Sequence, residues 1–264
     1  MEQTSALVAR GRRDLRRSRP VPPLYLVVPL ASTAVVLAVW AAIAIDWLGA
    51  RPPIGHDWEG YRQGFFRWLE TGTPYARFEL VGAFHAQYGD FIHPPSFLPL
   101  VAPFALLPFP LDGILWVGVP LVLLALLLRR SPWWAYPFAA GLLVHSEMEY
   151  TVLNGNSTLW MAAFLGWGLR LDWPAGLIAL KPSLGPLVLV GWRQPRRTLA
   201  VAAIPVLLTL PLWPDYVIVV ANAHLPLSYS LGQWPVLALG ALPWLCDRVQ
   251  PWRAWLAGQV QPAT

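Results

Sequence analysis

Long apolar runs separated by short breaks bearing Pro or Gly organise this chain, and that pattern predicts helices that cross a bilayer. The first run, Leu24 to Ile45, is about 22 residues, enough to traverse a hydrocarbon core at 1.5 Å per residue. Further apolar segments occupy 94–108, 113–128, 133–151, 158–171, 174–192, 198–213 and 234–246. The expected fold is all-α: a polytopic membrane helical bundle of about eight spans, forming a single membrane domain over 1–264. Some segments are shorter than about 18 residues and carry Pro99, Pro103, Pro120, Pro137 or Pro182, so re-entrant or half-helices are expected among them.

The longest polar segment, 46–92, follows the first span and is expected to form an outer loop carrying the candidate active site. Within Gly55 to Glu70, a turn of 100° per residue puts Trp58, Tyr61, Phe65, Trp68 and Leu69 on one arc, with Glu59, Gln63, Arg67 and Glu70 opposite. This predicts an amphipathic helix on the membrane surface, stopped at Thr71-Gly72-Thr73-Pro74.

Composition supports the membrane reading. The 264 residues are 56% hydrophobic and only 12% charged, with a mean hydropathy of +0.47, which excludes an ordinary soluble enzyme. Sixteen Trp and 28 Pro fit helices with interfacial anchors and tolerated breaks. The single Cys246 excludes a disulfide framework and a Cys-ligated zinc site.

The net charge of +5 is concentrated in Arg10, Arg12, Arg13, Arg16, Arg17 and Arg19. Ahead of a hydrophobic span, that cluster marks residues 1–23 as a cytoplasmic tail and the first span as a signal-anchor; no nucleic-acid partner is expected. Ala42-Ile43-Ala44 resembles a cleavage site, but the apolar run is longer than a signal peptide's. Simple alternation then puts Arg193, Arg196, Arg197, Arg248 and Arg253 inside, and Arg129, Arg130 and Arg170 outside, against the positive-inside rule.

Asp57 opens the amphipathic segment. It reads either as an N-cap or as a general base whose pKa is raised at a water–lipid boundary, and both are possible together only if one carboxylate oxygen stays free. Asp90-Phe91-Ile92-His93-Pro94-Pro95 reads as a rigid turn that also holds His93 at the outer interface. His56, Asp57, Asp90 and His93 are conceivable oxygen and imidazole ligands, but no ligand spacing supports a metal site and no metal is expected.

Lys181 is the one Lys beside 18 Arg and sits inside an apolar run, where a charge costs about 2.5–3.5 kcal/mol on insertion scales. It reads either as a cap for carbonyls freed by Pro182 or as a cation for a lipid phosphate. Glu147 and Glu149 are a second costly set, placed at the same cavity or its mouth. Asn154-Gly155-Asn156-Ser157 marks a helix break with spare donors and acceptors; Asn156-Ser157-Thr158 also fits a weak glycosylation sequon. No GxGxxG or GxxxxGK[ST] phosphate cradle occurs, and no cofactor is expected.

These features, in this order, resemble glycosyltransferase family 87: Asp57, Tyr61 and Gly72-Thr73-Pro74-Tyr75, then His93-Pro94-Pro95 with the hairpin Ala102-Pro103 to Pro108, then Gly155-Asn156 and Leu180-Lys181-Pro182. The resemblance covers roughly residues 45–200 and implies a class C membrane enzyme of the polyprenyl-phosphate-mannose-dependent kind, shortened at its carboxy terminus. It implies Asp57 as catalytic base and Tyr61, Arg62, Tyr75, His93, Asn156 and Lys181 as substrate-binding residues. The implied partners are a polyprenyl-phosphate sugar donor and a lipid or glycan acceptor, in a bacterial plasma membrane with the site on the outer face. The expected reaction is inverting transfer of a sugar, mannose by the resemblance. A non-catalytic lipid-binding partner subunit and a transporter or flippase remain as alternatives.

Overall fold

A computed structural model describes residues 24–50, 55–86, 90–129, 131–224 and 232–256. The basic tail, Arg51 and Arg130 lie outside the described residues, as does the side chain of Arg253. Among the described residues the regular elements are all helices, joined by turns and short irregular stretches, with one isolated parallel bridge between Phe84 and Ala223.

In chain order the helices are α1 (Leu24–Ala50), α2 (His56–Thr71), α3 (Arg77–Val81), α4 (Leu98–Ala105), α5 (Leu111–Leu128), α6 (Ala135–Leu143), α7 (Ser146–Asn154) and α8 (Thr158–Leu171). Two 3-10 arms follow, Trp173–Leu180 and Pro182–Gly191, and then α9 (Pro195–Leu208), α10 (Trp213–Asn222) and α11 (Trp234–Leu256). Among the described residues two helices are long and apolar enough to cross a membrane, containing Leu26–Ile45 and Leu111–Leu128. A third crossing is added if α9 and α10, bent by 65° at the break between them, count as one.

The expected eight spans are therefore mostly broken elements. Segment 133–151 divides into α6 and α7 around Val144 and His145. Segment 94–108 stays at one end of the bundle: Phe97 packs on Tyr61, Phe104 packs on Trp116 and Trp160, and the chain is back beside Trp58 at Asp112. Segment 174–192 is a re-entrant hairpin whose two arms meet at Lys181. Its feet are clamped: Arg193 Nε donates to Asp172 Oδ1 at 3.0 Å, and Thr198 Oγ1 donates to the Gly191 carbonyl at 2.9 Å.

Removing two crossings reverses part of the expected topology. α5, α8 and α11 all start beside Asp57 or Lys181, through Asp112, Thr158 and Gln233, and all run toward the opposite end. Arg129 follows α5, while Arg170, Arg193 and Arg248 share one pocket. The expectation that Arg129 and Arg170 face away from Arg193 and Arg248 is thus corrected. They gather at one end because segments 94–108 and 174–192 each return to the end at which they began.

α2 forms where its periodicity predicts, ending at Gly72 (φ 85°), whose N–H returns to the Trp68 carbonyl. Its aromatic arc, however, meets protein: Trp58, Tyr61 and Phe65 are buried against Phe97, Trp116 and neighbouring side chains, while Leu69 stays exposed. Covering an aromatic face this way is worth about 1.5–3 kcal/mol per side chain, so the arc that suited a headgroup boundary is used for core packing. Close approach of α8 and α11 needs glycine, since a Cβ on Gly240 would stand 2.1 Å from the Ala162 carbonyl oxygen.

Candidate active site

The amino end of α2 sits against the carboxy end of α7. Gly55, in the left-handed region at φ 77°, donates its N–H to the Leu153 carbonyl at 2.8 Å and occupies the N-cap position. Asp57 is therefore not the N-cap that its position suggests; it lies in the first helical turn with its side chain turned inward. Its Oδ2 accepts a 2.7 Å hydrogen bond from Asn156 Nδ2, and Oδ1 takes no hydrogen bond from the described residues. Burial pushes the Asp57 carboxyl above the ordinary carboxylate range, while the Asn156 bond and the charges of Lys181 and His56 pull it back.

The break between α7 and α8 is the hub of the site. Gly155 ends α7 at φ 68°, and its carbonyl accepts from Trp116 Nε1 at 2.7 Å. Asn156, buried, bridges Asp57 to Thr158: its Oδ1 accepts from the Thr158 N–H at 2.9 Å and lies 2.7 Å from Thr158 Oγ1. The weak sequon reading fails sterically, because the Asn156 amide is enclosed and spent on these bonds. The Ser157 N–H donates to Tyr61 Oη at 3.3 Å, and Ser157 Oγ lies 2.9 Å from His93 Nε2.

Lys181 reaches this hub from the apex of the re-entrant hairpin. Its Nζ donates to Thr158 Oγ1 at 2.7 Å and to Gln233 Oε1 at 2.8 Å. Thr158 Oγ1 also lies within hydrogen-bonding distance of Gln233 Oε1, and with one proton it serves Asn156 or Gln233 at a time. A continuous path thus joins Asp57, Asn156, Thr158, Lys181 and Gln233, drawn from four separate stretches of chain.

His93, Tyr61 and Tyr75 form the adjoining wall. Tyr75 Oη donates to the His93 carbonyl at 2.9 Å, and the Tyr61 and His93 rings meet edge-on at 4.9 Å. Burial and the Lys181 charge lower the His93 pKa to about 3, so its imidazole is neutral at ordinary pH. Tyr61 and Tyr75 are buried, 3% and 1% exposed, and hold Ser157 and His93 in place.

Other expected residues are placed elsewhere. Arg62 pairs with Asp112 (Nε to Oδ2, 3.4 Å) and with Glu59, and its guanidinium lies over the Phe66 ring. Asp112 also accepts from Trp58 Nε1 at 3.2 Å, so Arg62 braces α2 against α5. Glu147 and Glu149 lie in the first turn of α7, half-buried, at the opposite end of that helix from Asn156. His56, Asp57, Asp90 and His93 do not converge, for no three His, Cys, Asp or Glu side chains form a metal-holding group among the described residues.

Three participants escaped sequence reasoning. Thr158 and Gln233 are ordinary polar residues at helix starts, and Asp112 is an ordinary first-turn acid. A buried polar side chain at the start of an apolar run is the signal that could have drawn attention to them.

The family model of glycosyltransferase family 87 matches residues 91–225, just over half of the chain. The chain belongs to glycosyltransferase family 87. Within this family-87 chain the match takes in His93, Asn156, Thr158 and Lys181, while Asp57, Tyr61, Arg62, Tyr75 and Gln233 lie outside it. The family and the apolar helices together make it an integral membrane protein. It is similar to proteins named Alpha-(1->3)-arabinofuranosyltransferase from two strains of Mycobacterium tuberculosis, 31% identical over 156 residues. That alignment covers 49% of this chain and 36% of the relative, so the chain spans about a third of the relatives' length. No solved structure matches it.

Proposed function

We propose that this family-87 chain is a membrane glycosyltransferase that moves a sugar from a polyprenyl-phosphate donor to a hydroxyl of a lipid or glycan acceptor, with inversion. Asp57 Oδ1 takes the acceptor proton as that oxygen attacks the anomeric carbon. The bond from that carbon to the donor phosphate breaks, the electron pair leaves with the phosphate, and the Lys181 ammonium stabilises the charge. Asn156 orients Asp57, while neutral His93, backed by Tyr61 and Tyr75, lines the substrate position. Arg62, paired with Asp112 and Glu59, is not assigned the phosphate in this proposal.

The observation that carries this reading is the linkage of Asp57 to Lys181 through Asn156 and Thr158, with one carboxylate oxygen left over. A base and a cation held by one rigid polar path suit a reaction that needs both at once. The proposal includes a single membrane domain with residues 1–23 in the cytoplasm of a bacterium, and the site, in the loop after α1, on the outer face. Mannose is the sugar implied by the resemblance, and arabinofuranose the one in the relatives' name.

The test supplies radiolabelled polyprenyl-phosphate mannose or polyprenyl-phosphate arabinofuranose to membranes containing the full chain or Asp57→Asn. Transfer from either donor that disappears in Asp57→Asn, at equal extracted yield, is the expected result and names the sugar. Donor binding without transfer, unchanged by Asp57→Asn, replaces the enzyme with a lipid-binding partner subunit.

A further inference from the structure

The end of the bundle opposite Asp57 carries a polar cavity. It has a volume of about 350 Å³ and lies beside the ends of α5 and α8 and the middle of α11, and its charged lining is Arg170, Arg193, Arg248 and Asp247. Arg193 is partly committed, bonded to Asp172 and within reach of the Leu169 carbonyl. Arg248 lies over the Trp244 ring, 5.1 Å from its centroid, and Arg170 has no carboxylate within ion-pair distance among the described residues. Gly166, in its lining, lies at the close α8–α11 approach, where an added Cβ would stand 2.6 Å from the Gly240 carbonyl oxygen.

We infer that this cavity binds a phosphate-bearing anion, with Arg170 and Arg248 as its principal contacts and Arg193 as a third. Guanidinium forks match phosphate oxygens bidentately, and basic pockets between membrane helices on the arginine-rich side suit anionic headgroups. Its surroundings place it at a membrane boundary: Trp173 and Trp192, adjoining the Asp172–Arg193 clamp, are 41% and 67% exposed, and Leu245 and Val249 on α11 are also exposed. An inner-leaflet phospholipid headgroup and a soluble phosphoryl compound share this chemistry. The site is separate from the proposed transfer reaction, since α8, which joins the two ends, is 14 residues long and separates them by about 20 Å.

The full chain, purified in detergent, is incubated with phosphatidylglycerol, phosphatidylcholine or inorganic phosphate, and retained lipid is counted by native mass spectrometry. The expected result is retention of phosphatidylglycerol over phosphatidylcholine, reduced about tenfold or more in Arg170→Gln/Arg248→Gln but not in Arg196→Gln/Arg197→Gln, which removes equal charge from exposed positions outside the cavity. Displacement of the lipid by millimolar inorganic phosphate assigns the cavity to a soluble phosphoryl group, and failure to displace assigns it to the lipid headgroup. Equal loss in the two double variants, or no loss in either, overturns the inference. Should Arg170→Gln/Arg248→Gln fail to fold, Arg170→Lys/Arg248→Lys keeps the charge and loses the fork; unchanged retention there also overturns it.

Discussion

Asn156 Nδ2 donates to Asp57 Oδ2 at 2.7 Å across 99 positions of sequence, so the residue resembling the family's catalytic base is held by a residue from the break before α8. The bond favours the ionised carboxylate against the burial that disfavours it. Asn156→Leu is therefore expected to raise the Asp57 pKa further. A base works only when deprotonated, so the acidic limb of the transfer pH profile moves to higher pH, consistent with losing a hydrogen bond to a charged group. Activity lost at neutral pH returns on raising the pH; a uniform loss at every pH would remove Asn156 from this role.

Lys181→Met leaves Thr158 and Gln233 able to bond each other, so the hub survives without the ammonium. The expected outcome is near-normal extracted yield with kcat/KM for the polyprenyl-phosphate donor lowered at least about tenfold, the scale of one charge-assisted bond to the departing phosphate. An unchanged kcat/KM at equal yield would remove Lys181 from the stabilisation of the leaving phosphate.

Gly155→Ala puts a side chain at φ 68° with its Cβ 2.9 Å from Trp58 Cβ. Strain and contact together are expected to cost about 1–3 kcal/mol, read as a lower melting temperature in detergent. Gly118→Ala, whose Cβ meets nothing within 4 Å, serves as the control and is expected to be neutral or slightly stabilising in its helix.

Glu79, in α3, is buried, and its pKa is raised from 4.5 to about 7, by burial first and by nearby Asp90 as well. The folded state therefore holds a proton that the unfolded chain releases near pH 4.5, so this stabilisation is complete below that pH and is lost as pH rises through 7. Glu79→Gln keeps an oxygen to accept from the Ala76 N–H and removes the charge. It is expected to match the wild type near pH 4.5 and to melt higher at pH 8, by the equivalent of about 1–3 kcal/mol. Equal melting temperatures at both pH values would show that Glu79 stays ionised without cost.

Periodicity and hydropathy alone determined the helical class, the first apolar helix, the course of α2 to Gly72, and the break at Gly155, because these follow from local propensity and from the side chains' own preference for water or hydrocarbon. Chemistry that is costly in place was equally legible: a lone Lys in an apolar run and an Asp ahead of an aromatic arc stand out without any structure. Which of those groups meet was decided by tertiary structure. Hydrophobicity sets how far a segment avoids water but not whether it crosses or turns back, so two supposed spans became returns and brought Arg129 and Arg170 to the end that holds Arg193 and Arg248. Likewise nothing in the local sequence of Thr158 or Gln233 marks them as partners of Lys181; a buried ammonium must find acceptors, and only the crossing of α8 with α11 determines which are in reach.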